Sequence, residues 1–86
     1  MSTESLTKVR DDFRRAFQEY LEEGDRMAEL LRSGGDNVND DLRTAIRQQQ
    51  VALTSALERY EKARRAYVET VMGQLAGLTA MGLGLQ

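Results

Sequence analysis

Eighty-six residues with no Cys, His, Trp or Pro amount to one domain at most. They exclude histidine acid–base catalysis, a Cys nucleophile, disulfides and zinc ligation by His or Cys. A formal net charge of −2 favours no polyanion as a partner, and the abundance of Ala, Leu, Glu, Arg and Gln is a helical composition.

The first segment is predicted to be a helix over about residues 3–32. Ser2 or Thr3 is placed to cap it, with Glu4 near its positive end. Leu6, Val9, Phe13, Phe17, Tyr20, Met27 and Leu31 recur at helical spacing, and Gly24 falls on the same stripe. Asp11, Asp12, Arg15, Glu19, Glu22, Glu23, Arg26 and Glu29 fill the other face, which makes the helix amphipathic. Gly24 costs about 1 kcal/mol relative to Ala in a helix interior. It reads either as a site of close helix crossing or as a simple weak point.

Ser33-Gly34-Gly35 is the expected stop, since Gly readily takes the left-handed C-terminal conformation. The turn is placed at 33–37, and Asp36 or Asn37 is expected to cap the second helix. Asp40 and Asp41 then lie in a first turn, where negative charge is favoured. A calcium loop would need a Gly and a terminal Glu at offsets this segment lacks.

The second helix is predicted from about 38 to 72 or beyond. Leu42, Ile46, Gln49, Leu53, Ala56, Tyr60, Ala63 and Tyr67 alternate steps of four and three, a heptad seam kept for more than three repeats. Gln48–Leu57 carries no charge, and a helix neutral all round usually touches neighbours on more than one side. Gln49, polar and on the seam, is placed either to specify register or to sit at a wet margin. The halves complement each other in charge. Residues 1–41 hold 11 acidic and 6 basic side chains, and residues 42–86 hold 3 and 6.

If facing residues have numbers that sum to about 69, Phe13 meets Ala56, Phe17 meets Ala52 and Leu6 meets Ala63. Large then meets small at each level. This register also brings Glu4 near Arg65, Lys8 near Glu61 and Glu22 near Arg47, but sets Arg10 by Arg59 and Arg26 by Arg43. At 1.5 Å per residue the helices would span roughly 45 and 63 Å. Residues from about Tyr67 onward are therefore expected to overhang, with Val68, Val71, Met72, Leu75, Leu78 and Met81 lacking an intrachain partner. This end is uncharged from Thr70 to Gln86. Residues 73–86 read as an apolar Gly-rich tail, in which Gly73 and Gly77 form a small-x-x-x-small pair.

No catalytic, metal or cofactor site is expected. Glu19, Glu22, Glu23, Asp25 and Glu29 read as a solvated acidic face, because helical di-iron sites need inward Glu with Glu-x-x-His spacing. Arg43, Arg47, Arg59, Lys62, Arg64 and Arg65 belong to no nucleic-acid motif, so nucleic acid is disfavoured. Tyr60 and Tyr67 read as core residues with hydroxyls at its edge.

The expected fold is all-α: an antiparallel two-helix hairpin, coiled-coil-like, dimerising into a four-helix bundle. The expected function is non-enzymatic, a small assembly, adaptor or chaperone-type protein acting through helix–helix contacts. Phe13, Phe17, Leu53, Ala56, Tyr60, Tyr67, Val71, Met72 and Leu75 are the expected interface residues, with a protein partner at the C-terminal segment. The alternative is a membrane-associated protein using that segment. Met1–Asp12 lacks an apolar signal core, and a cytoplasmic location is expected. The layout also resembles leaderless secreted helical hairpins with a Trp-x-Gly turn. Here Ser33-Gly34-Gly35 stands in place of that turn. The C-terminal Tyr-x-x-x-Asp/Glu signal of those proteins is missing, since Val71 follows Tyr67 and Arg64 follows Tyr60 at that distance.

Overall fold

A computed structural model describes residues 3–35 and 39–78. Helix α1 covers Thr3–Gly34 and helix α2 covers Asp40–Leu78. They fold back on each other as an antiparallel hairpin. With 32 and 39 residues in the helices, the chain is overwhelmingly helical, and no strand occurs among the described residues. The one break between helices falls inside 32–39, where the Gly-Gly pair predicted it.

The helix ends differ from expectation by a few residues, and the difference matters. Ser33 and Gly34 remain helical, and the Ser33 hydroxyl donates to the Leu30 carbonyl at 3.2 Å. The reversal comes at Gly35, whose φ is +51° and whose N–H donates to the Arg32 carbonyl at 3.3 Å. That is a left-handed C-terminal stop of the kind Gly allows without a Cβ penalty. The cap of α2 is Asn39, not Asp36 or Asn37, which lie outside the described residues. Asn39 Oδ1 accepts from the Leu42 N–H at 2.8 Å, and its carbonyl accepts from the Arg43 N–H at 3.0 Å. This arrangement satisfies donors that a bare helix start leaves open. Asp40 and Asp41 occupy the first turn as expected.

Because α1 continues through Gly34, the centre of the turn moves about three residues toward the C-terminus. Every facing pair therefore shifts. Phe13 stacks against Tyr60 and Tyr67, and Phe17 packs against Tyr60, so neither faces Ala56 or Ala52. Glu23 faces Gln49, Glu19 faces Arg59, and a Cβ on Gly34 would run into the Leu42 side chain. These pairs scatter around a sum near 76, one heptad beyond the expected 69. A slip of one heptad keeps the same faces in contact, which is why the predicted seam survives. Leu42, Ile46, Gln49, Leu53, Ala56, Tyr60, Ala63 and Tyr67 are all half-buried or buried. The expected Lys8–Glu61 and Glu22–Arg47 pairs are not among the ion pairs of the described residues. Lys8 instead holds Asp12 at 2.7 Å on its own helix.

The same shift shortens the expected overhang among the described residues, while Met81 and the rest of 79–86 lie outside them. Tyr67 has a partner, Phe13, at a ring-centroid distance of 5.4 Å. From Phe13, α1 runs ten residues back to Thr3. From Tyr67, α2 runs eleven forward to Leu78; with facing numbers that sum to about 76, Thr3 lies level with residue 73, so residues 74–78 of α2 still run past the start of α1. Val71 and Gln74 are half-buried.

The hairpin is a slab of 66 × 23 × 14 Å. Fourteen ångströms is little more than one helix diameter, so the molecule has an interface but no interior. Only Ala16 and Ala56, at 7% and 0% exposure, are buried among the described residues.

Candidate helix-docking face

All five aromatic residues of the chain form one cluster on this hairpin. Phe13 meets Phe17, Tyr60 and Tyr67 at 6.4, 5.6 and 5.4 Å, and Tyr60 meets Phe17 and Tyr20 at 5.4 and 5.6 Å. Offset rings at such spacings add attraction beyond the area they bury. The cluster lies to one side of the line where Ala16 and Ala56 close the helices together. On the other side Glu19 pairs with Arg59 at 3.7 Å, and Arg59 also donates to the Ser55 hydroxyl at 2.7 Å. The hairpin therefore has an aromatic face and a charged face.

Between cluster and turn, Gln49 reaches across from α2. Its Nε2 donates to Glu23 Oε1 at 2.7 Å and to the Glu23 carbonyl at 3.0 Å. Arg26 holds the same carboxylate at 2.9 Å. The Gln49 amide, then Arg26, pulls the Glu23 carboxyl below its usual range, and Glu23 in turn raises the Arg26 guanidinium. Gln49 is half-buried on the seam and makes its polar contacts to the opposite helix.

Large apolar side chains stay exposed within the chain. They are Phe17 at 41%, Leu21 at 44% and Leu31 at 57% on α1, with Val51, Val68, Met72 and Leu75 on α2. Phe13, Leu53, Tyr60, Tyr67 and Val71 are half-buried and Ala56 is buried, so the hairpin contact gathers those six of the expected interface residues. Phe17, Met72 and Leu75 remain exposed. Sequence reading missed Leu21 and Ala28. The signal was present, for Phe17, Leu21, Gly24, Ala28 and Leu31 follow one another at steps of four and three. It was hidden because the inward stripe on the same helix was read first. Gly24 is not a close crossing point inside the hairpin, since a Cβ there would meet nothing within 4 Å.

The concave surfaces offer little to a small molecule. One runs along α2 past Arg47, Gln50, Val51, Thr54 and Glu58, and another past Tyr60, Glu61, Arg64, Arg65 and Val68. Each of these two is lined by one helix alone and is an outer surface, whereas a third concavity lies between the helices, past Val9, Asp12, Arg59, Lys62, Ala63 and Ala66. Among the described residues, no group of His, Cys, Asp and Glu could hold a metal ion, and no helix is long and apolar enough to cross a membrane. No protein-family model, curated protein or solved structure matches this chain.

Proposed function

We propose that this chain is a non-enzymatic assembly protein, an adaptor or chaperone-type hairpin that works through helix–helix contacts and pairs with itself as a four-helix bundle. The observation that carries this reading is the imbalance of burial. Two alanines are buried, while Phe17, Leu21, Leu31, Val68, Met72 and Leu75 are each at least 41% exposed. Soluble chains rarely leave so many large apolar side chains bare, and a hairpin one helix thick cannot bury them alone. The absence of His and Cys from the chain supports a role in binding over one in catalysis.

Sedimentation at micromolar concentration tests the reading. A dimer, or a larger closed assembly, is the expected outcome. A folded, stable monomer at those concentrations would refute it.

A further inference from the structure

We propose that the hairpin has a competing register one heptad away, and that Gln49 is the residue that holds it in the observed one. The inference concerns a single chain and stands apart from self-association. The competitor is the arrangement in which facing numbers sum to about 69. It moves each α2 residue into the place now held by the residue seven further on. Tyr60 takes the place of Tyr67, Leu53 that of Tyr60 and Ala56 that of Ala63. An apolar side chain replaces an apolar one at each of these levels, and a shift of seven turns the seam by only about 20°. Phe13 then faces Ala56 and Phe17 faces Ala52, large against small. The turn can follow. Gly34 stands where a shorter α1 would stop, and Gly takes the left-handed conformation without a Cβ penalty.

Gln49, the one amide of the seam, does not survive the exchange. It moves into the place of Ala56, which is 0% exposed and lies where the helices close together. A long amide would replace a single methyl group there. Its present partner is lost as well, since Ala16 takes the place of Glu23 across the contact and offers no carboxylate. In the observed register the same amide is half-buried. It donates to Glu23 Oε1 at 2.7 Å and to the Glu23 carbonyl at 3.0 Å, and Arg26 holds that carboxylate at 2.9 Å. Burying a polar group without its partner costs more than a hydrogen bond contributes. Gln49 therefore acts more by disfavouring the slipped hairpin than by stabilising this one. A slip the other way carries Leu42 past the end of α1, where nothing remains to pack on. One polar residue on an apolar seam fixes the alignment of coiled-coil helices by the same logic.

The chain has no Cys, so two introduced thiols carry spin labels at chosen places. Thr7 on α1 and Gln48 on α2 are both exposed. The competing register would bring labels on Thr7→Cys and Gln48→Cys closer by about 10 Å along the helix axis, at 1.5 Å per residue. Dipolar spectroscopy reads their separation within one molecule when labelled chain is diluted into unlabelled chain of the same kind. With Gln49 present, a single distance is expected. Gln49→Ala supplies the methyl group that the place of Ala56 accepts. It should add a shorter distance in at least about one-tenth of the molecules, a shift of roughly tenfold or more in the ratio of registers. Ala is the better helix former, so circular dichroism should show helicity retained. If helicity is lost, Gln49→Ser carries the same test. A Gln49→Ala hairpin that melts earlier but keeps the single longer distance has lost only a stabilising contact, and overturns the proposal. A parent that already shows both distances overturns it too.

Discussion

Phe13 touches three of the four other aromatic rings, two of them on the opposite helix. Because it is half-buried and central, Phe13→Ala should cost about 3 kcal/mol, at the low end of aromatic truncations in cores. Urea unfolding checks this, and a loss under 1 kcal/mol would show that the cluster contributes little. The two glycines should respond in opposite directions. Gly24 is helical and a Cβ there meets nothing, so Gly24→Ala should stabilise the hairpin by about 0.5–1 kcal/mol through propensity and reduced unfolded-state freedom. Gly35 has a positive φ, so Gly35→Ala should destabilise by about 1–2 kcal/mol. Thermal melts at several protein concentrations separate these effects from self-association.

At the scale of the helices, apolar contact holds the pair together and polar groups set where it stops. The cross-helix ion pair is exposed and long, at 3.7 Å, and such pairs contribute little. The Gln49–Glu23–Arg26 cluster is the polar link with directional content, and it carries a pH signature. Glu23 titrates below the usual 4.5 in the folded hairpin. Its ionised form is therefore favoured by folding. That stabilisation is present above the unfolded value and is lost as pH falls through the lowered folded value. Melting temperature should drop on acidification through that range, and Glu23→Gln should show a smaller drop than the parent. Asp12, lowered mainly by its bond from Lys8, titrates in the same direction in both proteins and cancels from the comparison. Equal acid sensitivity in the two would detach the cluster from stability.

At the scale of the molecule, the C-terminal end of α2 is exposed for two reasons: its side chains alternate toward and away from the hairpin, and its last residues run past the start of α1. Tyr67 and Val71 turn toward the hairpin, whereas Val68 and Leu75 stay 45% and 52% exposed. Deleting residues 73–86 should leave helicity and the aromatic cluster intact, since α1 has little left to pack on beyond that point. It should weaken self-association by removing Leu75, which is 52% exposed in the hairpin. Sedimentation and liposome flotation of the truncated chain test this together. Loss of lipid binding with self-association unchanged would instead favour a membrane role for the segment.

Helix, turn and seam were legible in the residues themselves, because they depend on local physics. Alternating steps of four and three place Leu42 to Tyr67 on one face whatever they meet. The Gly34-Gly35 pair ends a helix within a residue or two by backbone freedom alone. Register was not legible, since a hairpin slipped by one heptad presents the same faces. Only the tertiary structure chose between the alternatives. Ser33 and Gly34 stayed helical and Asn39, not Asp36, took the cap, which moved Phe13 from Ala56 to Tyr60 and Tyr67. The two-sidedness of the slab was likewise decided in three dimensions. Whether Phe17 on α1 and Leu57 on α2 share a face depends on the opposed sense of two antiparallel helices, which no single segment of sequence contains.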